Sequence, residues 1–471
     1  MSLFLAELKL TLRSRIAAAA LFLLFLLAAL AVWSGISLSD RQNAAIERVQ
    51  AAHAQDLAAV ARVYGQPDGD AGYGAYYTFY LTWDRPSPLA FAAIGQRDIQ
   101  PFTLRVRTLG LHSQLYESEN INAELALPGP FDWAFVLIYL APLAVLVLLH
   151  DLVAGEREAG RLRLLLSLPG ARGLWARRLG ARYLLVLAAL ALPLVLGLML
   201  TQAPLTLGAG SLLVAALYLA FWSGLGLLVA ALVRSSGGGA ATLLGCWIVL
   251  TLVAPTLATS AINSAIPAAR GTDLSLAQRE IVHAAWDKPK EETFDAFFVN
   301  HPEWRDTPPV TGRFHWKWYY AFHQVGDEAV APQVAEYRAS LAARERWTER
   351  VGWLLPTVST QVLLHRLADT DLQAHLAYQD SIAALHRRIR YFYYPYVFEE
   401  RPFTAADFER LPDYQPRPSG GSLAWGSLIA LGLAALALLA LSLRRAHRVE
   451  MVQPTATSRP GRGFLSKPAF T

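Results

Sequence analysis

Three histidines, His301, His315 and His323, lie near Glu303 and Asp306 in the stretch HPEWRDTPPVTGRFHWKWYYAFHQ, a set of residue types that can ligate a metal. Their steps of 14 and 8 residues match no compact ligand spacing. The aromatic residues among them, from Trp304 to Tyr320, fit a packed core or an interfacial belt better, with an apolar-ligand or partner surface as the other reading. No G-x-S-x-G occurs and no Ser-His-Asp arrangement can be assembled. The Gly-rich RSSGGGAATLLG (234–245) lacks the Lys of a phosphate loop and a preceding soluble strand, so it reads as a turn followed by a closely packing helix. The carboxylate pairs Glu291/Glu292 and Glu399/Glu400 read as solvated faces. The basic-aromatic run RRIRYFYYPYVFEERPF (387–403) reads as bundle packing or headgroup contact rather than nucleic-acid binding. One cysteine, Cys246, permits neither an intrachain disulfide nor a Cys-based metal site. These residues give an enzyme no reacting constellation, and no cofactor is expected.

The remaining candidate is EREAGRLRLLLSLPG, Glu156 to Gly170, a charged segment between two apolar runs. Leu162, Leu165, Leu166 and Pro169 fall on one helical face, with Arg161 and Arg163 beside it. Glu156 and Glu158 are placed in a first turn, where the helix dipole favours negative charge, and Pro169 with Gly170 supplies the stop. The spacing predicts one short amphipathic helix. Three uses are open to it: lying on the inner leaflet, packing against the bundle ends, or filling a groove on a partner.

Six elements must position that segment. The chain has 471 residues, 54% of them hydrophobic and only 17% charged, against about 25% charged in a soluble domain. Apolar runs of about 20 residues, enough to cross roughly 30 Å of hydrocarbon, lie near 16–36, 131–150, 183–201, 209–233, 240–260 and 423–443. The first is longer than a signal-peptide core and reads as a retained anchor. None contains a Lys, Arg, Asp or Glu apart from Asp132 at an edge. Basic residues concentrate before the first span, between spans two and three, and after span six. The two long polar segments, 37–130 and 261–422, carry 7 basic against 10 acidic and 18 against 21 residues. The positive-inside rule then places both termini in the cytoplasm and both long segments outside. The net charge of +5 expresses that orientation and contact with anionic lipid, not nucleic acid.

The expected fold class is an all-α polytopic membrane protein with six transmembrane helices and two extracytoplasmic, mostly helical regions. In order these are a cytosolic N-terminus with span one (1–36), the first outer region (37–130), spans two to five with the 156–169 helix (131–260), the second outer region (261–422), span six (423–443) and a basic tail (444–471). Ile46, Val49, Leu57, Val60 and Val63 predict that span one continues outward as an amphipathic helix. The Gly-, Pro- and Tyr-rich stretch 64–91 reads as loop and turns, and PFTLRVRTLGLH as a short strand. Short helices are expected in SLAQREIVHAAWD and EETFDAFFVNHPEW, and a longer one through Leu372, Leu376, Ile382, Leu385 and Ile389.

The segment GEREAGRLRLLLSLP resembles the stretch after the second span of ABC-2 type transporter permeases. The family pattern is Glu-Arg-Glu, a small residue, Gly, Thr, Leu and an apolar run ending in Pro. Glu156, Arg157, Glu158, Gly160, Leu162 and Pro169 match it, while Arg161 stands where Thr is usual. The six-span layout agrees, and LLPTVSTQVLLHRLADTDLQAH (354–375) resembles the branch with a large extracytoplasmic insertion between spans five and six. The resemblance implies a permease subunit of an ATP-driven exporter in the bacterial inner membrane. Its 156–169 helix would dock on a separate ABC ATPase subunit through Glu156, Arg157, Glu158, Gly160, Leu162, Leu165, Leu166 and Pro169. It also implies a second permease half, a further copy or a sibling, and leaves the substrate unnamed. The alternative is a membrane-anchored sensor or assembly scaffold whose outer regions bind a partner protein.

Overall fold

Lipid offers no hydrogen-bond partners, so a chain crossing it must satisfy its backbone internally. The computed structural model describes residues 3–116, 130–167, 173–267, 271–418 and 420–451. It contains six helices long and apolar enough to cross a membrane, Arg15–Tyr64, Trp133–Glu158, Leu174–Leu200, Leu205–Leu232, Ser236–Ala265 and Trp425–Val449. The chain is an all-α polytopic membrane protein, and its strands among the described residues form one two-stranded ribbon.

Span four is the axis of the bundle, with Val214, Tyr218, Leu219, Trp222 and Leu227 all buried. It packs closely on span six where Gly224 meets the backbone: a Cβ there would lie 3.1 Å from the Leu439 nitrogen. Small residues substitute for hydrophobic drive in helix association within lipid. Span five is the least buried of the six.

Span one continues unbroken to Tyr64, as its apolar spacing predicts. Ile46 is fully buried and Val49, Leu57 and Val60 half-buried, whereas Val63 remains exposed. The two polar segments fold into one domain against one side of this helix. Its core joins Ala71, Tyr80, Val106 and Tyr116 of the first segment to Phe297, Tyr320, Tyr378, Tyr393 and Phe398 of the second. The aromatic crowds at 304–320 and 387–403 therefore contribute mainly to a core.

The stretch read as loop holds more order than its Gly and Pro content suggested. Ala71–Tyr77 is helical, started by the Asp70 carboxylate accepting from the Gly72 amide at 2.7 Å. Tyr80–Trp83 pairs antiparallel with Thr103–Val106, the strand expected in PFTLRVRTLGLH. Gly72 is required by packing, since a Cβ there would sit 1.9 Å from the Trp316 ring. The second segment supplies helices Gly271–Ala284, Lys290–Asn300, Trp316–Gly352, Pro356–Ala368 and Leu372–Phe398.

The three histidines are apart in role. His301 pairs with Glu328 at 2.7 Å, His315 caps the Trp316–Gly352 helix by accepting from the Lys317 amide, and His323 accepts from the Gly110 amide at 3.2 Å. Glu400 is not simply solvated: it pairs at 2.8 Å with Lys317, whose side chain is buried.

Two buried ionic networks hold the domain. Within it, Arg390 meets Asp327 at 2.7 Å and donates to the Leu109 carbonyl, while Asp327 accepts from the Leu111 amide at 2.8 Å. At the neck between domain and bundle, Asp84 bridges Arg97 at 2.6 Å and Arg417 at 3.0 Å, and Arg417 reaches Asp369 at 3.0 Å. Gln42 of the span-one helix closes the set by accepting from Arg97 and donating to its carbonyl, both at 3.2 Å.

Burial pushes His323 and His386 down to about 3, so both are neutral in the folded domain. The unfolded chain protonates them near 6.5 and binds more protons below that pH, so their contribution falls as pH drops from 6.5 toward 3. Burial raises the Asp327 carboxyl, but Arg390 outweighs it and holds the group below its usual range, so its contribution too is lost in acid. Each histidine should cost about 2 kcal/mol at pH 5 relative to pH 7. Thermal unfolding followed at both pH values should show this loss, and His386→Gln should reduce it. An unchanged midpoint would contradict the burial of these imidazoles.

Candidate functional site

The charged segment between spans two and three is not one helix from 156 to 169. It is two, Ala154–Glu158 and Leu162–Ser167, broken at Ala159–Arg161. Gly160 causes the break through its φ of +70°, a left-handed conformation that glycine adopts without strain; the space beside it is open. The Gly160 amide donates to the Arg157 carbonyl and the Arg161 amide to the Glu156 carbonyl, both at 3.0 Å. This pair of bonds around a left-handed glycine is how a helix closes on itself. The stop therefore comes within the segment, nine residues before the expected one at Pro169, which lies outside the described residues.

The break separates the two glutamates. Glu156 sits in the first turn of its helix as expected, but Glu158 ends it. The Glu158 carboxylate accepts from both the amide and the hydroxyl of Ser236 at 2.8 Å, at the start of span five. Negative charge at a helix N-terminus is stabilised by its unpaired amides. Glu156 accepts from Arg161 at 3.0 Å and from Arg178 of span three at 2.9 Å. Arg178 also pairs with Glu7 of the N-terminal helix Leu3–Arg13 at 3.4 Å. One short segment is thus tied to spans three and five and to the N-terminal helix.

Of the expected apolar anchors, Leu162 and Leu165 pack against the bundle core and Leu166 is half-buried. Arg157 is half-buried, and its Nη1 has no hydrogen-bond partner among the described residues. The outward surface consists of Glu158, Ala159, Gly160, Arg161, Arg163, Leu164 and Ser167, with Leu164 64% exposed. Leu164, absent from the expected contact set, is the large apolar side chain this segment presents.

A second site lies at the other end of span five, and a search of the spans for charges alone passes over it. Pro142 in span two and Pro255 in span five each follow a π-helical turn, Val136–Leu140 and Ile248–Val253. Proline has no amide hydrogen and its ring strikes the carbonyl four residues back, so the preceding turn widens. The carbonyls around the first bulge find side-chain donors instead. Tyr218 Oη donates to the Ile138 carbonyl at 2.8 Å, and Trp247 Nε1 to the Tyr139 carbonyl at 3.1 Å. The Trp247 bond joins the two widened turns across a gap.

That gap is a cavity of about 690 Å³, floored by apolar side chains that include Phe135, Tyr139, Leu143, Trp247 and Leu252. Its rim comes from the domain helices Trp316–Gly352 and Pro356–Ala368 and the start of Leu372–Phe398, and carries Arg344, Glu345, His365, Arg366 and Asp371. Arg366 sits among carboxylates, 3.1 Å from Glu349 and 3.7 Å from both Glu345 and Asp371. Burial pushes the Glu345 and Asp371 carboxyls up, and it holds His365 down to about 4, leaving a neutral imidazole on the wall. A mostly apolar hollow with a few converging polar groups is the usual form of a small-molecule site. Threonines in the apolar run (Thr251, Thr256, Thr259), together with the two prolines, were the available sequence signal.

A family model described as a domain of unknown function, DUF3526, matches residues 250–417. The match takes in the second half of span five and the domain segments that form the cavity rim. No curated protein and no solved structure matches the chain.

Trp247→Phe keeps an aromatic ring in the cavity floor but removes the donor to the Tyr139 carbonyl. A polar group left unpaired in an apolar setting costs about 1–3 kcal/mol. The variant should unfold at lower temperature in lipid nanodiscs, and an unaltered melt would remove that bond from any account of the widened turns.

Proposed function

We propose that this chain is the membrane permease subunit of an ATP-driven ABC transporter, an exporter driven by a separate ATPase subunit docked at residues 154–167. The observation that carries the reading is the double anchoring of that segment. Glu158 holds the first turn of span five and Glu156 holds span three through Arg178. A partner that moved the segment would move both spans, and span five leads directly to the cavity. The described residues include no phosphate loop, so the energy source in this reading is another chain.

A transporter needs two states whose balance the ATPase biases. The sparsely covered span five supports a second permease half beside it. The basic residues at the segment's end of the bundle support a cytoplasmic placement of both termini in a bacterial inner membrane, with the folded domain outside.

The contact surface and the relay separate in mutants. Leu164→Glu should weaken co-purification with the proposed ATPase subunit, a loss of about thirtyfold in affinity for an apolar anchor. Glu158→Lys should retain the ATPase but lose stimulation of ATP hydrolysis, because it releases Ser236. If wild-type protein retains no ATPase, the exporter reading fails and the sensor or scaffold reading replaces it.

A further inference from the structure

The rim of the cavity is also a wall. Glu345, Arg366 and Asp371 line both the apolar cavity and a second cavity of about 550 Å³ behind it. The second is polar, lined by Arg346, Asp369, Gln373 and Arg417 among others. A hollow floored by membrane-spanning helices is therefore divided from one beside the neck by the Arg366 cluster. Leu252, which lines the first cavity, is 41% exposed on span five, the least covered of the spans, and the hollow is reached from there.

We propose that the cavity between spans two and five binds a bilayer amphiphile with a zwitterionic head, and that the Arg366 cluster is the partition this head engages on the way to the polar cavity. The apolar floor at Phe135, Leu143 and Leu252 takes an acyl chain. The head meets Arg344 and Arg366 beside Glu345 and Asp371, with Glu349 behind Arg366 at 3.1 Å. A head with phosphate alone faces two carboxylates, and a head with amine alone faces two guanidinium groups. One bearing both pairs each charge, which is the arrangement a desolvated site needs. Arg344 is already committed through Nε to the Ile266 carbonyl at 2.8 Å, which leaves its terminal nitrogens for the head. The cavity size falls within the ~300–1,000 Å³ of small-molecule sites. The proposal names the substrate class of the transporter reading and rests on it for the word substrate; the binding itself does not.

The full chain in lipid nanodiscs, without ATPase or ATP, is photolysed with lysophosphatidylethanolamine carrying a diazirine in its chain, and the cross-linked peptides are mapped. Cross-links should concentrate at 135–143 and 247–259. Leu252→Trp, which blocks the entrance from an exposed position, should lower them about tenfold. Lysophosphatidic acid with the same diazirine chain should label these segments less, and Glu345→Gln should erase that preference while leaving the fold's melt intact. Labelling spread evenly over the lipid-facing surfaces of all six spans, or undiminished in Leu252→Trp, overturns the site. Equal labelling by the two probes in wild type overturns the zwitterionic assignment. Loss of ATPase co-purification in a separate experiment would remove the transporter reading and leave the labelling result standing.

Discussion

The arrangement depends on four charges at the neck. Asp84, Arg97, Asp369 and Arg417 come from parts of the chain far apart in sequence, and each is about nine-tenths buried. Removing an ion from water costs several kcal/mol, and the cost is recovered only when its partners arrive with good geometry. None of the four can therefore be buried singly. Their assembly fixes where the 84–97 loop, the turn after Ala368 and the approach to span six meet the continuation of span one. Glycine makes this meeting close: a Cβ on Gly35 would lie 2.0 Å from the Phe91 carbonyl oxygen, and one on Gly421 2.0 Å from that of Leu367. Domain and bundle are joined by backbone contact locked with charge.

With the neck fixed, the widened turns in spans two and five gain their meaning. Each proline prevents a regular helix from closing, and lipid would penalise the freed carbonyls heavily. Tyr218 and Trp247 supply two of the missing donors, so the distortion is tolerated and the spans part where the domain helices descend. The hollow follows from two prolines plus a rigid roof.

Much of this was legible in the sequence, for reasons that differ by element. The six spans were visible because their apolar runs have a length set by the bilayer. The outward continuation of span one was visible because Ile46, Val49, Leu57 and Val60 keep helical spacing. The strand at Thr103–Val106 was visible but its partner was not, because Tyr80–Trp83 is defined by pairing across 20 residues and sits among turn-forming glycines. In the charged segment, Gly160 looked like one small residue in a helix. Its left-handed conformation, which splits the segment and hands Glu158 to Ser236, is a choice that only the surrounding contacts settle. The cavity was hidden because it contains no charge within a span; its charged groups arrive from a domain distant in sequence.

The uninterrupted helix from Arg15 to Tyr64 has a mechanical consequence. At 1.5 Å per residue it is about 75 Å long, more than twice the hydrocarbon thickness. A rigid rod of that length works as a lever. A tilt of about 5° at its base carries its tip about 6 Å sideways, a displacement as large as a full helical turn is tall. The polar domain packs along one side of the upper arm and is tied to the bundle at the neck, so a tilt of the rod is shared by domain and bundle together.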